Sequence, residues 1–279
     1  MNEQLWLAVG YPGEMLIFLQ GRGMLSARKA RLFGAACCRR VWHLLTDEKS
    51  RWAVEVAERF TEGAATAEEL LEALDSAWEA CHAARAAEEA YHDSKQARDA
   101  SLNQGRPEGA DAACRNASAA WAVACLLSGF FRTTSDLARS LMADESVGVV
   151  IAEESHAMVG DTMFGACGAA RGPEGLTDTA ELDAQQAILR DLFGPLPFRP
   201  VTIEPAWIAW NHGTLRRLAQ ALYHERSLPE GTLNNGRLAV LADALEEADC
   251  ADADLLGHLR GPGPHVRGCW CVDLLLRKS

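Results

Sequence analysis

The sequence predicts an all-α protein, a multi-helix bundle or array whose N- and C-terminal helical segments pack together. Two observations carry this. Apolar residues recur at helical spacing through nearly the whole chain. Strand signals are missing: β-branched residues are few, and sustained alternation is confined to Arg199-Pro200-Val201-Thr202-Ile203, which two prolines restrict to an edge or extended segment.

From Ser26, a candidate N-cap, to Leu45, one stripe carries Phe33, Cys37, Val41 and Leu44. The opposite side carries Arg28, Lys29, Arg39, Arg40 and His43. Thr46-Asp47-Glu48 reads as a stop and a new cap, opening a helix with Trp52, Val56 and Phe60 that ends near Gly63. Thr66-Ala67-Glu68-Glu69 has capping-box spacing and starts an Ala-rich helix reaching about Asp99. Alanine favours helix and lets helices approach closely, so this stretch suits the tightly packed part of a bundle. After the loop Ser101–Asp111, two helices are expected between Ala112 and Ala170, and Thr177 or Thr179 caps one running to Phe193. Near the end, a helix through Leu238, Leu241, Ala242 and Leu245 stops at Glu246-Glu247, and a shorter one follows Cys250. Pro264 and His265, after the Gly261-Pro262-Gly263-Pro264 turn, are expected to start the last helix.

Gly194-Pro195-Leu196-Pro197-Phe198-Arg199-Pro200 is the candidate boundary, since prolines exclude helix and favour a stiff, extended connector. Three regions follow: 1–193, with an Ala-rich middle at 64–193; the connector 194–204; and 205–279. Trp207 and Trp210 suggest that the last segment docks on 1–63 as one unit.

The formal net charge of −12 disfavours nucleic acid and anionic membrane surfaces, leaving a protein or small molecule as partner. The first residues lack the basic n-region of a signal peptide. The longest uncharged run, Asn116 to Phe131, has 16 residues and falls short of a bilayer span. Nine cysteines, an odd number scattered among apolar neighbours, read as reduced core thiols in a cytoplasmic protein.

Leu32-Phe33, Cys37-Cys38-Arg39-Arg40-Val41-Trp42-His43-Leu44-Leu45-Thr46-Asp47-Glu48 and Ala53-Val54-Glu55-Val56-Ala57-Glu58-Arg59 resemble a large paralogous family of uncharacterised helical proteins in planctomycete bacteria. So do Phe198-Arg199-Pro200-Val201-Thr202, Trp207-Ile208-Ala209-Trp210-Asn211 and Gly261-Pro262-Gly263-Pro264-His265-Val266-Arg267-Gly268-Cys269-Trp270. The resemblance brings no activity, substrate or catalytic residue with it.

Three Glu-x-x-His pairs occur: Glu79–His82, Glu89–His92 and Glu153–His156. Residues three apart share a helix face, and di-iron or di-manganese bundles place two such motifs on different helices. The first two pairs lie about 15 Å apart along one helix, so only a combination with Glu153–His156 could share a site. Glu89, His92, Glu153 and His156 are the candidate ligands; plain surface residues are the competing reading. Cys250, His258, His265, Cys269 and Cys271 form a second ligand-rich cluster. Its spacing departs from zinc patterns, and Cys269 and Cys271 diverge on a helix. The Arg28, Lys29, Arg39, Arg40 and His43 stripe could meet an anionic partner, or pair internally with Asp47, Glu48, Glu55 and Glu58. Asn211-His212-Gly213 reads as a loop. Phosphate loops, nucleophile elbows and His-Glu-x-x-His helices are absent from the sequence.

The expected function is a non-enzymatic helical interaction or scaffold module with a protein partner and no required cofactor. The alternative is a metal-dependent bundle enzyme using the Glu-x-x-His pairs, with a transition metal. His265, Arg267 and Trp270 form a structural motif in which Trp270 and Leu274 share a buried face. Trp270→Ala is therefore expected to cost about 3–5 kcal/mol, read as a large drop in melting temperature, and His265→Ala much less. An unchanged melting temperature for Trp270→Ala would place the tryptophan on the surface.

Overall fold

Local capping chemistry decides where many of the helices begin. The computed structural model describes residues 1–8, 11–99, 115–120, 122–123 and 179–278. Among these, α1 spans Glu3–Ala8, α2 Pro12–Gly21, α3 Ala27–Arg40, α4 Glu48–Thr61 and α5 Ala67–Asp99. After them come α6 Thr179–Phe193, α7 Pro205–Ala209, α8 Thr214–His224, α9 Asn235–Glu247, α10 Ala253–Leu259 and α11 Trp270–Leu276. Side-chain oxygens of Ser26, Asp47, Thr66, Asn234 and Asp252 accept the first free N–H groups of α3, α4, α5, α9 and α10. The fold is all-α. Strand pairing among the described residues amounts to the hairpin of β1 (Arg226–Ser227) and β2 (Thr232–Leu233), extended by a bridge from Thr232 to Val266. No described helix is long and apolar enough to cross a membrane.

Two compact units divide the described chain. One contains 1–36 and 183–279; the other contains 37–182. The divisions fall inside α3 and α6, while the proline-rich segment 194–204 lies wholly within the first unit.

In the second unit α4 and α5 pack along their length. Ala53, Val54, Val56 and Ala57 are buried on α4, as are Leu70, Ala73, Ala77, Ala80 and Cys81 on α5. The α5 positions repeat at three- and four-residue intervals, and alanine dominates them, so the helices approach closely.

In the first unit Leu215, Leu222 and Tyr223 of α8, Leu238, Leu241 and Leu245 of α9, Leu255 and Leu259 of α10 and Trp270 and Leu275 of α11 share one core. Trp270 is 1% exposed, and its indole lies over Gly194, whose φ is +51°. A Cβ at Gly194 would sit 2.4 Å from Trp270 Nε1, so glycine is required there. The segment after α6 is a run of turns, with Gly194, Leu196, Phe198 and Arg199 N–H groups returning to Arg190, Phe193 and Pro195 carbonyls. It is not the extended spacer its prolines suggested. Phe198 stacks on Phe18 at 5.5 Å and meets Trp6 edge-on at 5.9 Å.

Two further elements differ from expectation. α11 begins at Trp270, not at Pro264, because His265 and Val266 are drawn into extended pairing with Leu233 and Thr232. The regular part of α3 ends at Arg40, followed by a 3-10 turn at Trp42–Leu44. It buries all residues from Lys29 to Arg39 except Arg31, so its cations do not form a solvent face.

Those cations are held by specific acceptors. Asp273 on α11 takes Arg28 through both oxygens, at 2.7 and 3.1 Å, and Lys29 Nζ at 2.7 Å. Lys29 also donates to the Leu192 and Gly268 carbonyls. Asp273→Ala would leave two cations partly buried without their carboxylate, so we expect a loss of about 3–5 kcal/mol in urea unfolding. Lys49→Ala, which removes a pair with Glu79 that is exposed on both sides, should leave the midpoint unchanged. Equal effects from the two substitutions would contradict this.

Candidate metal centre

Three separated segments of the first unit bring four ligand-type atoms to one point. Asp191 lies in the last turn of α6, His258 in the last turn of α10, and Cys269 at the N-cap of α11. Gly261-Pro262-Gly263-Pro264 reverses the chain after α10, which brings His265 back over His258. The two imidazoles meet edge to face, with centroids 4.8 Å apart.

Asp191 Oδ1 lies 2.8 Å from His265 Nδ1 and 3.0 Å from His258 Nε2, and His258 Nε2 is 3.2 Å from Cys269 Sγ. All four ligand atoms lie within 4.8 Å of one another. Asp191, His265 and Cys269 are buried; His258 keeps 19% of its side chain exposed. The second carboxylate oxygen accepts the Val266 N–H at 2.8 Å, which fixes the plane of Asp191. The Gly261 carbonyl lies 3.3 Å from His265 Nε2 and accepts its N–H, leaving Nδ1 to face the centre.

Burial alone would raise the Asp191 carboxyl pKa, but hydrogen bonds and charge from His258 and His265 outweigh it and hold the group below the ordinary carboxylate value. Burial opposes charge on His265 too, yet Asp191 and the Gly261 carbonyl raise its pKa. The Cys269 thiol is pushed well above its usual value, first by burial and then by the Asp191 charge.

A Cys-His-Asp nucleophilic relay does not fit. Such a relay places the thiol and the carboxylate on opposite imidazole nitrogens, whereas here both meet Nε2 of His258. The thiol is also fully buried. A metal does fit. Tetrahedral zinc with bonds of about 2.0–2.3 Å holds its ligand atoms roughly 3.3–3.8 Å apart, within about 1 Å of the distances above. A cavity of about 220 Å³ adjoins the centre, lined by Asp191, His258 and His265, by Ala187 and Arg190 of α6, and by residues 261–264.

The sequence-derived candidates fall elsewhere or are otherwise engaged. Arg28 and Lys29 meet Asp273, Arg39 pairs with buried Glu58, and Arg40 pairs with Glu181; His43 is exposed. Of the acids weighed as internal partners, Glu58 is the one used in these pairs. Glu89 is exposed on α5, which also carries His92, while Glu153 and His156 lie outside the described residues. Glu79 pairs with Lys49 on the surface. Three of the five C-terminal cluster residues converge; Cys250 is buried elsewhere, and Cys271 Sγ turns toward the Leu255 carbonyl at 3.9 Å. Arg267 lies over the Tyr223 ring. His265 belongs to the centre as well as to the fold.

Sequence reasoning missed Asp191. Its signal was an acid on the buried face of α6, three residues after Ile188 and beside Leu192. No protein-family model, no curated protein and no solved structure matches the chain.

Gly268 sets the backbone entry to Cys269. Its φ is +93°, and a Cβ there would lie 2.7 Å from Leu32 Cδ1 and 2.9 Å from Leu192 Cδ2. Gly268→Ala should therefore lose about 1–3 kcal/mol in thermal or urea unfolding. Gly257→Ala, with open space on α10, should be neutral or stabilising by up to about 1 kcal/mol. The reverse order would refute the packing described for Gly268.

Proposed function

We propose that the unit of residues 1–36 and 183–279 is a transition-metal-binding module. His258 Nε2, His265 Nδ1, Asp191 Oδ1 and Cys269 Sγ would hold one divalent ion of the zinc class. The observation that carries this reading is the convergence of four ligand-type atoms, three of them on buried side chains, from three segments of the chain. Both imidazoles turn a ring nitrogen to one carboxylate oxygen of Asp191, and the Cys269 sulfur lies 3.2 Å from one of those nitrogens. A cation among these atoms satisfies the two imidazole lone pairs, the thiolate and the carboxylate together. The mixed nitrogen, oxygen and sulfur donors suit zinc: imidazole and thiolate both favour it, and it imposes no geometry beyond the tetrahedron. The ion would join the end of α6 to the end of α10 and the start of α11.

A role as a cytoplasmic interaction or scaffold module is compatible with this metal. Leu5, Leu7 and Ile17 are exposed at 52%, 65% and 61% on α1 and α2, which favours a protein contact there over one through the paired cations of α3. The six cysteines at 37, 38, 81, 250, 269 and 271 are all buried, in keeping with a reducing compartment.

Elemental analysis of the full chain, reconstituted with zinc and desalted, tests the metal reading. A four-ligand site should retain about one equivalent. Cys269→Ser and His258→Ala should each weaken retention at least about tenfold while circular dichroism stays helical. Less than about a tenth of an equivalent in the unsubstituted chain would rule the centre out.

A further inference from the structure

We infer that the metal is an open centre, and that the adjoining cavity delivers to it a small oxyanion, a carboxylate or its kin, as an exchangeable ligand. This rests on the metal-binding reading above and adds the ligand class. Structural zinc sites are built from Cys₄, Cys₃His or Cys₂His₂, whereas two histidines and a carboxylate form the protein side of an open zinc site. The donor set here is that open set with one thiolate added.

Position agrees with composition. His258, His265 and Asp191 all line the 220 Å³ cavity, and Cys269 does not. With an ion bound, the Cys269 sulfur would therefore face away from the cavity, and the three remaining ligands would frame its mouth. His258, 19% exposed, is the ligand that solvent reaches. Zinc accepts a fifth ligand readily, so four protein donors do not close the site to a molecule already beside them.

Charge selects the class. A divalent ion with the Asp191 carboxylate and the Cys269 thiolate would be neutral, and Arg190 on the cavity wall, whose guanidinium is anchored on the Trp6 and Leu7 carbonyls and Gln186, adds one positive charge beside it. No other acidic residue lines the cavity. The rest of the wall is Ala187 and the Gly261–Pro264 turn, which offers little bulk and no competing charge. In a protein of net charge −12, this is a local positive pocket with a Lewis acid at its base. Its volume admits several waters or one molecule the size of acetate or phosphate.

Cobalt(II) in place of zinc makes the coordination visible. The full chain loaded with cobalt should show a thiolate-to-cobalt band in the near ultraviolet and strong visible bands of a four-coordinate ion. Acetate and inorganic phosphate, titrated separately at millimolar concentrations, distinguish carboxylate from phosphate as the preferred ion. Binding of either should weaken the visible bands as the ion becomes five-coordinate, while the thiolate band persists. Ala187→Leu and Ala187→Phe narrow the cavity without touching a ligand. Each variant that keeps the cobalt spectrum should bind the anion at least about tenfold more weakly. A cobalt spectrum that neither anion alters would overturn the open centre and leave the metal site standing. Equal anion binding by a spectrally intact Ala187 variant would also overturn it, since access would not run through the cavity. A chain that binds no cobalt would end both readings.

Discussion

The buried carboxylate of Asp191 is the constraint around which the C-terminal segments arrange themselves. An ionised carboxylate without partners inside a protein is too unfavourable to persist. Asp191 is 3% exposed, and three groups meet it: the Val266 N–H and a ring nitrogen of each imidazole. Those groups come from chain positions 67 to 75 residues away. The end of α10, the turn after it and the pairing of Val266 with Thr232 are thereby fixed relative to the end of α6. Placing Cys269 follows, because only Arg267 and Gly268 separate it from Val266.

The same unit contains a second buried carboxylate, and the contrast shows why one site suits metal and the other does not. Asp273 is met by Arg28 and Lys29, whose side chains offer only N–H donors and no lone pair for a metal. Two cationic side chains around one carboxylate leave no place for a third cation. At Asp191 the partners are imidazoles and a thiol, groups that yield a proton to a metal and keep a lone pair for it. Both aspartates resolve the problem of a buried negative charge. Only the first does so with groups that can exchange a proton for an ion.

Local chemistry in the sequence located many helix starts, as at Ser26, Asp47 and Thr66, because a cap depends on residues three or four positions away. The same local reasoning misplaced α11. Pro264 is a good first-turn residue, but Leu233 and Thr232 capture His265 and Val266 in extended pairing, and that competition is invisible without the hairpin. The α3 cations misled for a similar reason: their helical spacing suggests a face, while their acceptors Asp273 and Glu181 lie more than a hundred residues away. Within the centre, His258, His265 and Cys269 were legible as a ligand-rich cluster. Asp191 was not, because its spacing from them depends on tertiary packing and matches no sequence motif.

The Gly261–Pro264 turn links orientation of the ligands to access. The Gly261 carbonyl accepts from His265 Nε2 and so aims Nδ1 inward, while the same four residues form one wall of the cavity. Gly263 has a φ of +82°, and a Cβ there would lie 2.8 Å from the His265 amide nitrogen, so a side chain at that point would press on the ligand's own backbone. Bulk in the turn would thus narrow the cavity and turn His265 together. The small residues that would leave room for a molecule beside a metal ion are the ones that hold His265 in place.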